Sequence, residues 1–161
     1  VKYALSNTDI MNYLNHQTKI IKYSDVHTYN NIQNLLQPYG NCFILYETSP
    51  NHGHWVVITY SNKVITFFDP YGGRPDSQFA FIPPEFAAAS YQNYPYLTRL
   101  LQESGMKVVY NPYQFQKLEP GIRSCGRWCI LWTKCKDMTL KDFAKIFLGK
   151  DFDDVVAFLT S

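Results

Sequence analysis

The stretch His52-Gly53-His54-Trp55-Val56-Val57-Ile58-Thr59-Tyr60-Ser61-Asn62-Lys63-Val64-Ile65-Thr66-Phe67-Phe68-Asp69-Pro70 decides the fold. Two runs of β-branched and aromatic residues, 55–60 and 64–68, flank Ser61-Asn62-Lys63, the pattern of a β-hairpin. A histidine enters the first strand and an aspartate leaves the second. If Ser61-Asn62 form a two-residue turn, Tyr60 pairs with Lys63, Ile58 with Ile65, Val56 with Phe67 and His54 with Asp69. Imidazole and carboxylate then share a face with Cβ atoms about 5 Å apart. A turn centred on Asn62-Lys63 keeps them on one face but diagonally placed. A three-residue loop separates them, because a one-residue slip reverses the facing. When the two meet, Asp69 can accept a hydrogen bond from one ring nitrogen, fixing the tautomer and supporting the imidazolium. The plainer alternative is a partly exposed ion pair worth about 0–1 kcal/mol.

Outward from the hairpin, Ser6-Asn7-Thr8-Asp9 before Ile10, Met11, Tyr13 and Leu14 reads as a capping box opening a short amphipathic helix. A second helix is expected over 25–36, with Val26, Tyr29, Ile32, Leu35 and Leu36 on one face, ended by Pro38-Tyr39-Gly40. Residues 42–47 read as a buried strand and 49–53 as a loop. Beyond the hairpin, a long Pro- and Gly-rich segment over 70–93 is expected to be irregular, and connections of that length are often functional. A helix follows between Pro95 and Gly105, then a strand over 107–111. Further helices are expected over 125–135 and 139–148. The pattern is α+β, a mixed or antiparallel sheet packed between helices, in one domain over 1–161.

Four cysteines stand at 42, 125, 129 and 135. Ile122-Arg123-Ser124-Cys125-Gly126-Arg127-Trp128 places Cys125 where a loop enters an apolar helix whose Trp128, Cys129 and Trp132 face inward. A thiol at a helix N-terminus feels the positive end of the helix dipole and free N–H groups, which lower its pKa. Gly126 leaves room for a substrate to approach the backbone. Cys42, Cys129 and Cys135 read as buried structural thiols, the commonest fate of the residue. The set lacks both the density of a disulfide scaffold and the spacing of a structural zinc site, although His52-Gly53-His54 is a His-x-His pair. Reduced thiols and an intracellular setting are expected.

The bulk properties are permissive. A chain of 161 residues can bury a core without metals or disulfides. Tyr, Phe and Trp make up 17% of it, enough for rings to line a groove as well as fill the interior. A net charge of +2 demands neither nucleic acid nor an anionic membrane. No apolar run approaches the ~20 residues of a membrane span. The first residues, Val1-Lys2-Tyr3-Ala4-Leu5-Ser6, lack a signal-peptide pattern and an initiating Met, so a processed or trimmed chain is expected.

Taken in order, His54-Trp55, Asp69-Pro70, Gln116 and Ser124-Cys125-Gly126 resemble the adenain and SUMO-protease clan of cysteine peptidases. That clan runs His, acid or Asn, Gln, Cys along the chain, the reverse of papain-like order. The likeness spans most of the chain, and its Cys-Gly-Arg-Trp ending is most similar to maturation proteases of virophages, Polinton-type elements and large DNA viruses. It implies an adenain-like thiol protease that cleaves capsid precursor proteins next to small residues such as Gly. Cys125 would be the nucleophile, His54 the base and Asp69 the residue that orients it. The Gln116 amide and the Cys125 N–H would form the oxyanion hole, and Trp55 would line a narrow substrate channel. No cofactor and no metal are implied. The expected partners are polypeptide substrates, with room for an activating peptide or DNA, no membrane and a monomeric state. The expected location is the viral factory of the host-cell cytoplasm and the virion.

One departure concerns the glutamine. In adenain and the SUMO proteases it lies nearer the Cys, where this chain has Leu118 and Glu119. Gln114 and Gln116 lie further back, and Glu119-Pro120-Gly121 would accommodate a longer loop. The two glutamines share a face if the strand continues past Pro112, and the longer spacing of the virophage-like pattern favours Gln116. Three rival readings remain. A protease of ubiquitin-like modifiers would use the same chemistry, with 70–93 gripping a folded partner. An acetyltransferase on a related fold would need an acyl-CoA site and, as in known examples, an inositol phosphate pocket rich in Lys and Arg, which the modest basicity disfavours. A binding module retaining the fold is disfavoured by the intact His, Asp and Cys.

Overall fold

The hairpin lies at the middle of a five-stranded sheet. The structure, a computed structural model, describes residues 6–116 and 125–150. Strands β1 (Lys19–Lys22), β2 (Asn41–Ser49), β3 (His52–Ser61), β4 (Val64–Phe68) and β5 (Lys107–Tyr110) stand side by side in chain order. β2, β3 and β4 are antiparallel neighbours, while β1 on β2 and β5 on β4 run parallel, so the sheet is mixed. Each parallel pair needs a crossover. Helix α2 (Ile32–Leu36) lies in the first, and α3 (Pro84–Ala89) and α4 (Tyr96–Gln102) lie in the second.

Alternation along the strands feeds a core on each side of the sheet. Phe43, Leu45, Trp55, Val57 and Phe68 meet α1 (Asn7–Tyr13), α5 (Cys125–Lys134) and α6 (Leu140–Phe147). Cys42, Ile44, Tyr46, Val56, Ile58, Ile65 and Phe67 meet α2 and α4. A strand buried on both faces has no polar side to show, which is why 42–46 and 55–58 read as unbroken apolar runs.

The hairpin takes the second of the two registers that bring His54 and Asp69 to one face. Asn62 and Lys63 have φ of 51° and 65°, the left-handed pair of a tight two-residue turn, and Ser61 faces Val64. Val57 faces Phe68, so the same register extended by one residue sets Asp69 across from Val56 and diagonal to His54.

Other local signals fold as written. Ser6 and Asp9 form the capping box of α1, and the Thr139 hydroxyl accepts from the Asp142 N–H at the start of α6. The single helix expected over 25–36 is broken. Residues Tyr23–Thr28 form a 3-10 turn, Tyr29 is extended, and the Asn31 side chain caps α2 by accepting from the Asn34 N–H. Asn competes for backbone partners and favours caps over helix interiors, so Asn30-Asn31 divides the run. The 70–93 segment, expected to be irregular, contains α3, opened by Pro84, and a 3-10 turn at Ser77–Phe81. Two anchors hold it. Asp76 accepts from the Tyr46 hydroxyl and from Thr98. Gln92 exchanges hydrogen bonds with the Glu47 backbone. The expected Glu119-Pro120-Gly121 loop and the approach through Ile122, Arg123 and Ser124 lie outside the described residues, as do residues 1–5.

Gly53 of β3 lies tight against the β2 backbone at Tyr46 and Glu47. A Cβ there would fall 1.8 Å from the Tyr46 carbonyl oxygen, a backbone atom that cannot swing aside. Gly53→Ala is therefore expected to destabilise the fold by about 2–3 kcal/mol, in the range of overpacking. Thr139→Ala, which removes only the α6 cap, should cost about 1 kcal/mol. Urea unfolding of both variants checks the ranking, and equal midpoints would contradict the close approach at Gly53.

Candidate active site

The sheet delivers two of the candidate residues to one corner. His54 is the third residue of β3, and Asp69 is the first residue after β4. His54 Nε2 lies 2.7 Å from Asp69 Oδ1. His54 is 7% exposed and Asp69 fully buried, so this is not the solvated surface pair of the plainer reading. A carboxylate out of water needs donors, and Oδ1 also accepts from the Tyr71 N–H at 2.9 Å. The Asp69 carbonyl in turn accepts from the Gly72 N–H and from Asn111 Nδ2, both at 2.8 Å, which fixes the backbone that carries the carboxylate. Gly73 comes so close that an added Cβ would lie 2.8 Å from Asp69 Oδ2. Neither Asn111 nor Gly73 carried a sequence signal, because their roles arise from long-range packing.

The third residue comes from the other side of the core. Cys125 is the first residue of α5, and its sulfur accepts from the Trp55 N–H at 3.4 Å. One turn later the Cys129 thiol donates to the Trp55 carbonyl at 3.5 Å. Further along, the Trp132 indole N–H donates to the Thr59 hydroxyl at 3.0 Å. The helix is thus registered on β3, which sets the Cys125 thiol beside His54 so that each acts on the other's charge. With Nε2 engaged by Asp69, Nδ1 is the ring nitrogen left for the thiol.

Charge follows this geometry. Burial is the largest influence on Cys125 and pushes its pKa up. The His54 charge and hydrogen bond, with the Trp55 and Gly126 N–H groups, outweigh burial and hold the thiol below its ordinary value. Burial also works against a charged His54. The Cys125 charge and the hydrogen bonds to Asp69 and Cys125 prevail there too, raising it to about 9. Both shifts act in the same sense, each group favouring the charged form of the other, a thiolate beside an imidazolium. In the other thiols burial prevails, even against the Lys19 charge near Cys42 and the Lys134 charge near Cys135. Burial pushes Cys42 up to about 12, and it raises Cys129 and Cys135 as well.

Gln116 reaches the site without a strand to carry it, since β5 ends at Tyr110. The Pro70 carbonyl accepts from the N–H groups of both Phe115 and Gln116, tying them to the corner after Asp69. The Phe115 ring packs on Trp128 of α5 at 5.1 Å between centroids. Gln116 is 2% exposed, and its Nε2 donates to the Tyr71 hydroxyl at 3.2 Å. Among the described residues Gln114 is exposed and donates to the Gln116 carbonyl, whereas Gln116 is buried against the corner that carries Asp69. Trp55 is buried against Phe43 and also lines a cavity of about 500 Å³ with Gly53, Leu45, Lys22 and His52. The cavity borders the residues on either side of His54 in sequence, although neither His54 nor Cys125 lines it. Among the described residues no group of three His, Cys, Asp or Glu side chains is placed to hold a metal ion.

The ion pair has a direct readout. Iodoacetamide should label Cys125 in the native fold at pH 7, below the ordinary thiol range near 8.5. His54→Ala removes the opposing charge and leaves burial in control. Labelling should then slow by about tenfold or more at pH 7 and recover only as pH rises. Equal rates in the two proteins would contradict the pairing.

Comparison with known proteins agrees with this architecture. No protein-family model matches the chain. It is 40% identical over 145 residues to uncharacterized protein V9 of Sputnik virophage, a match spanning 89% of this chain and 83% of the relative. The crystal structure of the ASFV pS273R protease superposes with a TM-score of 0.55 at 12% identity, covering 99% of this chain and 68% of that one. SUMO protease Ulp1 overlaps more loosely, with a TM-score of 0.42 at 15% identity over 97% of this chain and 74% of that one. A mixed sheet between two helical layers, the overlap with a viral protease and close kinship to a virophage protein lead to one placement: the chain belongs to the family of Sputnik virophage protein V9 and has the adenain-like cysteine protease fold.

Proposed function

We propose that the chain is a cysteine endopeptidase that cleaves viral capsid precursor proteins next to small residues such as Gly. One observation carries the reading: a thiol at a helix start, a histidine hydrogen-bonded to a buried carboxylate and a buried glutamine amide converge at one corner of the fold. The family tie to a virophage protein favours a viral substrate.

In this mechanism the Cys125 thiolate attacks the substrate carbonyl carbon, and His54 holds the proton taken from the thiol. Asp69 keeps Nε2 engaged, so the ring presents Nδ1 to the reaction and its positive charge is supported. As the tetrahedral intermediate collapses, His54 gives its proton to the leaving amine and a thioester remains on Cys125. Water activated by His54 then releases the acid and restores the thiol. Gln116 and the Cys125 N–H would donate to the oxyanion, a stabilisation whose loss typically costs about 3–4 kcal/mol at the transition state. Trp55 would line the approach to the scissile bond and favour small side chains. Such an enzyme would act in the host-cell viral factory and in the virion, on the whole chain as a single peptidase domain.

The test is cleavage of a proteome-derived peptide library. Cuts should cluster beside Gly and other small residues. Cys125→Ala should abolish them with the circular dichroism spectrum unchanged, and Asp69→Asn should lower kcat about tenfold or more while retaining some activity, since an amide still orients the ring. Cleavage surviving in Cys125→Ala, or cuts beside bulky residues, would sink the proposal.

A further inference from the structure

Tyr71 touches all three of the groups that must be held in place around the thiol. Its backbone N–H donates to Asp69 Oδ1 at 2.9 Å. Its ring lies against the His54 imidazole, with centroids 4.5 Å apart and planes 21° from parallel. Its hydroxyl lies 3.2 Å from Gln116 Nε2. It stands two residues past Asp69 in the corner closed by the Gly72 N–H bond to the Asp69 carbonyl, so the fold fixes its position as firmly as that of the carboxylate. The sequence gives no hint of this, since a tyrosine in a Pro- and Gly-rich stretch carries no periodicity.

The third contact leaves something unfinished. Gln116 is 2% exposed, yet its Oε1 is buried with no hydrogen-bond partner. A buried carbonyl oxygen without a donor is costly. A half-turn of the amide exchanges the two atoms: the Tyr71 hydroxyl donates to Oε1, and Nε2 moves to the unpartnered position. The donor that then lacks a partner is one that an anionic oxygen at the reacting carbon would satisfy. The ring contact acts on the histidine. A phenol face stacked on an imidazole attracts the ring more strongly when it is a cation, and the effect grows with desolvation; His54 is 7% exposed.

We propose that Tyr71 is a positioning residue. Its ring favours the imidazolium form of His54, its N–H holds Asp69, and its hydroxyl turns the Gln116 amide so that the NH₂ group faces the developing oxyanion. This rests on the peptidase reading above. It adds a residue that sets the geometry of the groups proposed to act on the scissile bond.

Two variants of the full chain separate the two side-chain effects. Tyr71→Phe keeps the ring and removes the hydroxyl. For a fluorogenic peptide amide ending in Gly-Gly, kcat should fall by about tenfold or more with KM within about twofold, as expected for a contact felt only in the transition state. The double variant Tyr71→Phe, Gln116→Ala should be no slower than Gln116→Ala alone, because the hydroxyl acts through that amide. Tyr71→Leu removes the ring. The rise of Cys125 alkylation by iodoacetamide with pH should then shift upward by about half a pH unit, because a less favoured imidazolium supports the thiolate less. A merely structural role would lower the melting temperature and leave both signatures unmoved. Turnover in Tyr71→Phe equal to that of the unaltered chain, additive losses in the double variant, or an unshifted profile in Tyr71→Leu each overturn the proposal. Alkylation needs no substrate, so it also separates the two readings. If Cys125 of the unaltered chain titrates as an ordinary thiol, the peptidase reading falls and Tyr71 with it; if that thiol is activated while the Tyr71 variants behave normally, only the role of Tyr71 falls.

Discussion

Both hydrogen-bonding groups of the Trp55 backbone end on sulfur: its N–H on Cys125 and its carbonyl on the Cys129 thiol. This pairing fixes the register of α5 on β3, and the rest of the site depends on it. His54 precedes Trp55, so locking the helix to this one residue places the first turn of α5 beside the imidazole. The Trp132 bond to Thr59 repeats the lock two strand residues beyond Val57, and the core of Phe43, Val57, Phe68 and Phe143 fills the space between. Each contact is individually modest, since a sulfur hydrogen bond is weak. Together they prevent the helix from sliding by a turn, which would put Cys129 where Cys125 stands.

The site then becomes a contest between desolvation and pairing. Moving either a thiolate or an imidazolium alone into a protein interior costs several kcal/mol. Placing the two against each other, with Asp69 behind the ring and N–H donors on the sulfur, reverses the outcome for both groups. The comparison lies within the same molecule. Cys42 and Cys129 are equally buried thiols without a histidine partner, and burial drives both upward, at Cys42 even against the Lys19 charge. Residue type is constant across the three. Position at a helix start opposite a histidine is what differs.

Much of this was legible in the residues because it was local. A hairpin written in β-branched residues, with His54 at one end and Asp69 at the other, limits the pairings to a few registers. Choosing among them needed the left-handed backbone of Asn62 and Lys63, which a sequence permits without specifying. The capping box of Ser6 and Asp9 acts within one helical turn and was readable for that reason. Helix 25–36 misled because its apolar spacing is real, and both halves do bury those residues; Asn31 breaks the run by offering the backbone a better partner. The four-residue β1 was not readable, since it is too short to show a period and exists only through its pairing with β2. Gln116 was ambiguous for a related reason. It is held by the Pro70 carbonyl across more than forty residues of chain, and no spacing rule encodes that.

The central claim is that Cys125, and no other thiol, attacks a carbonyl under the control of His54. The most direct measurement is covalent capture with a Gly-Gly peptide vinyl sulfone at pH 7, with the modified residue mapped by tandem mass spectrometry. A single adduct on Cys125 that fails to form in His54→Ala is the predicted result. Modification at Cys42, Cys129 or Cys135 in its place, or an adduct on Cys125 that forms equally fast without His54, would contradict it.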